Sequence, residues 1–135
     1  MSELESHYIR IGGEPAVRHL AKTFYQIMSE TVQTKRVRDM HPVDIASSEE
    51  KLYLFLTGWL GGPDLYIEKY GHPRLRQRHM PFSIGIEERD QWLYCMAHAL
   101  ATLELDELLA EQLMASFVKT ADFMRNREET EATPT

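Results

Sequence analysis

Apolar residues recur at helical spacing along most of the chain. Val17, Leu20, Phe24 and Ile27 repeat at three- and four-residue steps, and Leu52, Phe55, Leu56 and Trp59 do the same. A third stripe runs through Trp92, Met96, Ala99, Leu100 and Leu103, and a fourth through Leu109, Leu113, Phe117, Ala121 and Met124. A helix brings such positions onto one face, so four amphipathic helices are predicted. No alternating run of the strand type competes with them, and the expected class is all-α.

The breaks in the pattern are equally legible. Gly12-Gly13-Glu14-Pro15 stands before the first stripe and Gly61-Gly62-Pro63 closes the second, both as chain turns. Ser47, followed three residues later by Glu50, reads as a capping box and puts the start of the second long helix near position 48. Glu87 and Glu88 favour a helix start near 86, because carboxylates are stabilised at the positive end of the helix dipole. Pro73 suits the first turn of a helix and Pro81 stops it, so His79 is predicted to end a very short helix. One domain is expected over positions 1–125, followed by a tail, 126–135, too polar to pack and expected to be disordered.

Composition narrows the function classes. A chain of 135 residues, 43% of them hydrophobic, is long enough for a single buried core. Its net charge of −6 argues against a non-specific nucleic-acid binder, which needs basic charge spread over a face. The single cysteine, Cys95, excludes an internal disulfide and, beside Met96 in an apolar helix, reads as core. No apolar run approaches the roughly 20 residues that span a bilayer, and the N-terminus lacks the basic and apolar regions of a signal peptide. A soluble, cytoplasmic protein with no membrane partner is expected.

Against the acidic background, the stretch Lys69 to His79 holds four of the fifteen Lys and Arg residues within eleven positions. Such a cluster implies a local anionic partner. A neutral imidazole is the commonest metal ligand in proteins and the usual axial ligand of haem iron, while arginine forks pair with carboxylates. Haem carries both a metal and two acid groups. Leu75, His79 and Phe82 follow one another at four- and three-residue steps, which sets an imidazole between two apolar side chains, as a flat apolar ligand requires. On spacing alone, a core histidine bonded to a backbone carbonyl remains the commoner outcome, so context has to decide. Arg74, Arg76 and Arg78 alternate with Leu75 and Gln77 and splay over different faces; Arg78 is the first choice for a carboxylate partner. His7, His19, His72 and His98 share no metal-ligand spacing, and no phosphate loop, nucleophile with a paired base or cysteine pair is present.

The context comes from a series of motifs. They are Tyr8-Ile9-Arg10-Ile11-Gly12-Gly13-Glu14, Phe24-Tyr25, Met40-His41-Pro42, Phe55-Leu56 with Trp59 and Gly61-Gly62-Pro63, Gly71-His72-Pro73-Arg74-Leu75-Arg76 with Arg78-His79, and Glu88-Arg89-Asp90-Gln91-Trp92-Leu93. Together, and in this order over about positions 8 to 125, they resemble the group II truncated haemoglobins. Each motif alone is weak; the set is specific. The resemblance implies a two-over-two α-helical sandwich, a shortened globin with a small first helix and a loop in place of most of the helix before the proximal histidine.

Carried over position by position, His79 matches the proximal iron ligand, and Leu75, Phe82 and Ile84 match the proximal haem face. Leu52 and Phe55 match the distal helix surface, with Tyr66 nearby, and Lys51 and Arg78 match partners of the haem propionates. Tyr25 and Trp92 match the polar distal cage. Their chemistry agrees, since a phenol O–H and an indole N–H are donors carried on apolar bodies and can line a dry pocket. Ser48 falls where ordinary globins place a distal histidine, and a small residue there leaves a path open. His41 either faces the bound ligand as a third polar group or turns to solvent at a helix end.

The function this implies is reversible binding of dioxygen, carbon monoxide, nitric oxide or other diatomic ligands at haem b, iron protoporphyrin IX, with slow oxygen release. The alternative is a haem redox enzyme, a nitric oxide dioxygenase or peroxidase-like activity in the same pocket. That activity would take electrons from an external reductase or reducing substrate, because the chain holds no flavin or nicotinamide motif. A haem-free helical interaction module is the third reading, and it leaves the joint occurrence of His79, Tyr25 and Trp92 unexplained.

Overall fold

The structure, a computed structural model, describes residues 6–72 and 84–125. All regular elements among them are helical. In chain order they are α1 (His7–Ile11), α2 (Gly13–Glu30), a 3-10 turn (Val32–Thr34), α3 (Lys35–Asp39), α4 (Ala46–Trp59), α5 (Leu65–Tyr70), α6 (Ile86–Ala101) and α7 (Glu107–Phe123). No helix among the described residues is long and apolar enough to cross a membrane.

The four long helices coincide with the four apolar stripes. On α2, Val17, Leu20, Ala21, Phe24 and Met28 lie within 1% of full burial, on a face repeating every three to four residues. That face packs against both α4 and α6, and α6 packs in turn on α7. The result is the expected pair of helix pairs, one laid over the other. From α6 the core receives Cys95, Met96, Ala99 and Leu100, and from α7 Leu109, Leu113 and Phe117. Each fully buried side chain of this size contributes about 1.5–3 kcal/mol of transfer free energy, which makes α2 the main source of cohesion.

Aromatic stacking closes the far end of the core. Phe117 of α7, 2% exposed, lies nearly parallel to Trp59 of α4, with centroids 4.4 Å apart and planes at 19°. Its other neighbour is Trp92 of α6, tilted at 5.9 Å. The double glycine after α4 has a steric reason. A Cβ on Gly62 would sit 2.8 Å from ring carbons of Tyr8 and 2.9 Å from the Thr57 carbonyl oxygen, and Gly61 takes φ +101° with Ser6 against it. Only glycine lets α1 come this close. The Tyr8 N–H then donates to the Leu60 carbonyl at 2.8 Å and ties α1 down.

Two details depart from the sequence reading. The expected capping box at Ser47 and Glu50 does not form, because α4 starts earlier, at Ala46, and no side chain caps it from Ile45. Asp44 instead accepts the Ala46 N–H at 3.0 Å, so the chain is turned before Ser47 is reached. The start of α6 agrees with expectation, and Glu88, 4% exposed, reaches back to accept the Gly85 N–H at 2.8 Å. The short α3 and α5 were not anticipated, since neither is long enough to show a period. Cys95, expected in the core, is fully buried.

Leu75, Arg78, His79 and Phe82, with the short helix expected around them, lie outside the described residues, as does the tail from position 126. Phe117→Ala should lower the unfolding free energy by about 3–5 kcal/mol, the usual cost of emptying an aromatic site, measured by urea denaturation. A loss below about 1 kcal/mol would mean that the site refills and the ring stack is not structural.

Candidate functional site

The apolar periodicity of α2 places Phe24 at its centre and forces the next residue, Tyr25, one step round the helix, to the margin of the core. Phe24 is fully buried and meets two rings: Tyr25 edge-on at 4.9 Å and Trp92 of α6 at 5.2 Å. One side chain thus brings together the two donors that the sequence singled out, although 67 positions separate them. His41, which follows the end of α3, stands edge-on to the other side of the Tyr25 ring, with centroids 5.4 Å apart. It is half-buried. The three candidate cage residues therefore form one contiguous group.

Their polar atoms decide what the group can do. Tyr25 is 7% exposed, and among the described residues its phenol O–H has no hydrogen-bond partner; the same holds for the indole N–H of Trp92. Neither polar atom is sealed from solvent, so each donor stays available to an acceptor without leaving a partner within the described residues. Burial pushes the Tyr25 phenol well above its ordinary pKa, with further contributions from Cys95 and Glu49. It stays an O–H donor throughout the physiological range.

His41 is built differently. Its Nδ1 lies 3.0 Å from the Val37 carbonyl oxygen, which can only accept, so Nδ1 carries the proton. In the neutral ring Nε2 is then an acceptor. This was not legible in the sequence, because it depends on the turn that follows α3.

Leu52 and Phe55 lie on α4 along a line that also takes in Ser48 and Trp59, and all four are half-buried. The opposite side of α4, through Tyr53, Leu54, Leu56 and Thr57, is buried in the core. Tyr66 of α5 meets Phe55 edge-on, with ring centroids 6.3 Å apart. Lys51 is exposed, with its ammonium 5.7 Å from the centre of the Tyr70 ring. Ile84 is 8% exposed at the entry to α6. Leu75, Arg78, His79 and Phe82 cannot be placed against this group, being outside the described residues. Among the described residues no cluster of His, Cys, Asp or Glu is able to hold a metal ion by itself.

A large planar apolar group with polar edges fits this arrangement. The half-buried apolar positions of α4 suit its face, the Tyr25 and Trp92 donors suit a small polar ligand, and the exposed Lys51 suits an acid group. Sequence reading missed the side chains that hold the pieces together: Phe117 behind Trp92, and Arg38 and Gln91 around α3. Phe117 was visible as one member of an apolar stripe, but its partners were not, and nothing local distinguished the other two.

Comparison with known proteins places the chain. The family model described as bacterial-like globin matches residues 6–126. The group 2 truncated hemoglobin YjbI of Bacillus subtilis is 39% identical over 119 residues, which are 88% of each chain. Among solved structures, a group II 2-on-2 hemoglobin from Agrobacterium tumefaciens superposes with a TM-score of 0.90 at 43% identity, over 95% of this chain and all of that one. A cold-adapted truncated hemoglobin from Pseudoalteromonas haloplanktis gives 0.89, also at 43% identity, over 92% of this chain and all of its own.

The unpaired Tyr25 hydroxyl has a consequence for stability. Tyr25→Phe should leave the unfolding free energy within about 1 kcal/mol of the parent, or raise it, because no hydrogen bond is lost. Urea denaturation of the two proteins checks this, and a larger loss would show that the hydroxyl serves the fold.

Proposed function

The chain belongs to the bacterial-like globin family, in its group II truncated branch, and from that premise we propose that it holds haem b through His79 and binds dioxygen and other diatomic ligands reversibly, with slow release. The observation that carries the proposal is that Tyr25 and Trp92 both pack on the Phe24 ring, with the Tyr25 O–H and Trp92 N–H bonded to nothing among the described residues.

Haem, when bound, would supply an iron able to take an imidazole nitrogen and a diatomic ligand. His79 would supply the imidazole nitrogen, a role that rests on its motif, and Leu75, Phe82 and Ile84 would supply apolar surroundings. Leu52, Phe55 and Tyr66 shield the other face from water. Lys51 and Arg78 pair with the propionates near solvent, where each ion pair contributes only about 0–1 kcal/mol. Ser48, small and half-buried, leaves room for ligand entry.

Tyr25 and Trp92 then donate to a ligand atom that gains negative charge on binding. A hydrogen bond to a charged acceptor contributes about 1.5–3 kcal/mol, and one that is absent from the escape transition state slows release by roughly ten- to a hundredfold. Neither donor has to abandon an existing partner to make this bond. His41, with its Nδ1 proton committed to Val37, borders the Tyr25 ring, and its Nε2 is unprotonated when the ring is neutral. Slow release suits ligand chemistry or sensing better than bulk transport. The redox alternative uses the same donors, and steady turnover with an added reductant separates it from simple binding.

Purified protein supplemented with haem should show a ferrous Soret band that shifts reversibly with oxygen and with carbon monoxide; no haem absorbance would overturn the proposal. His79→Ala should lose haem or hold it only loosely, and a normal spectrum with normal retention would remove His79 as the ligand. Trp92→Phe should speed oxygen dissociation by about tenfold or more, read by stopped-flow, and an unchanged rate would take Trp92 out of the cage.

A further inference from the structure

Helix α3 is only five residues long and has no side-chain cap at Thr34, so its own hydrogen bonds cannot hold it. It is held by the buried Val37 side chain, by Arg36 ion pairs to Glu87 at 3.2 Å and Glu88 at 3.4 Å, and by a set of tertiary hydrogen bonds that meet at Val37. The Val37 N–H, one of the donors left over at a helix start, is accepted by Oε1 of Gln91 on α6 at 3.0 Å. The Val37 carbonyl accepts from Nδ1 of His41 at 3.0 Å and from the Met40 N–H at 3.1 Å. A single peptide residue therefore connects the side chain next to Trp92 with the ring next to Tyr25.

Arg38 secures the other side of the same turn. Its Nε donates to Ser29 Oγ of α2 at 3.0 Å, its Nη1 to the Pro42 carbonyl at 2.9 Å and its Nη2 to the Val43 carbonyl at 2.8 Å. Those carbonyls bracket the chain just after His41, and the His41 N–H in turn donates to the Arg38 carbonyl at 3.0 Å. The guanidinium thus spans the end of α2 and the loop, a fork that lysine cannot reproduce. Gln91 is oriented by its second bond, from Nε2 to Glu87 at 3.3 Å, which leaves its oxygen facing Val37.

We propose that Gln91 and Arg38 are the positioning residues of His41. They fix α3 and its turn so that the imidazole proton is committed to the Val37 carbonyl and the ring stands against Tyr25 with Nε2 unprotonated in its neutral form. A neutral ring freed from this turn samples the other tautomer, in which Nε2 is a donor, and the polarity offered beside Tyr25 is reversed. This rests on the reading of His41 as a pocket residue, and it extends that reading from which side chains line the pocket to what sets the sense of their hydrogen bonds.

The test uses haem-loaded, reduced, carbon monoxide-saturated protein, which is diamagnetic, with histidine labelled in nitrogen-15. Long-range proton–nitrogen spectra report the tautomer, and the His41 signal is assigned by its loss in His41→Phe. The parent should show the Nδ1–H form. Gln91→Leu and Arg38→Lys should each bring in the Nε2–H form, whereas Gln91→Glu, which keeps an oxygen for the Val37 N–H and exchanges the longer bond to Glu87 for an exposed like-charge contact, should keep the parent spectrum. Gln91→Leu should also change the oxygen dissociation rate by about three- to tenfold in the parent and not at all in a His41→Phe background.

An unaltered Nδ1–H form in both Gln91→Leu and Arg38→Lys would overturn the proposal. An equal rate change in the two backgrounds would also sink it, since Gln91 would then act through its neighbour Trp92. An oxygen rate untouched by His41→Phe itself would instead remove His41 from the pocket, and the tautomer comparison alone would then decide the positioning claim.

Discussion

Phe24 occupies the point where α2 crosses α6, and the arrangement of the site depends on that crossing. The ring is fully buried, so its position is set by the core, and its two aromatic neighbours are Tyr25 and Trp92. Close packing leaves little freedom for such rings to drift, because a misplaced aromatic in a dense core forfeits dispersion contacts on every side. The core of a small helical protein thereby holds two donor groups together without any hydrogen bond between them.

The same donors sit at the margin of the core and not inside it. A fully buried donor without a partner costs about 1–3 kcal/mol of desolvation. Neither donor is in that position. Trp92 is only half-buried, and Tyr25 retains slight exposure at the core margin. Burial also raises the phenol pKa, which keeps the proton on the oxygen where a ligand can use it.

His41 reaches the same group by polar means. It belongs to the turn after α3, a segment too short to be stable alone, and hydrogen bonds from α2 and α6 hold that turn in place. The core positions Tyr25 and Trp92 by shape, while Val37, Arg38 and Gln91 position His41 by directed bonds. Packing tolerates conservative changes in side chain better than a fork of three directed donors does. The His41 side of the site is therefore the more sensitive to single substitutions.

The apolar period by itself determined the four long helices and their buried faces, because i, i+3 and i+4 neighbours meet whatever the rest of the fold does. Phe24, Met96, Leu113 and Phe117 were legible as core in this way, and the double glycine after Trp59 as a turn. The family motifs added the site residues, with His79 and its neighbours resting on sequence alone. Tertiary structure decided the rest. Helices of five or six residues show no period, so α1, α3 and α5 exist through contacts with α2, α4 and α6. The capping box at Ser47 yielded to Asp44, because where the chain turns depends on what lies around it. The proton on Nδ1 of His41 follows from a carbonyl four residues back, brought there by a turn that Gln91, 50 positions further along, helps to hold. Local spacing encodes which face of a helix is apolar; the direction of a hydrogen bond between distant segments exists only once the helices have packed.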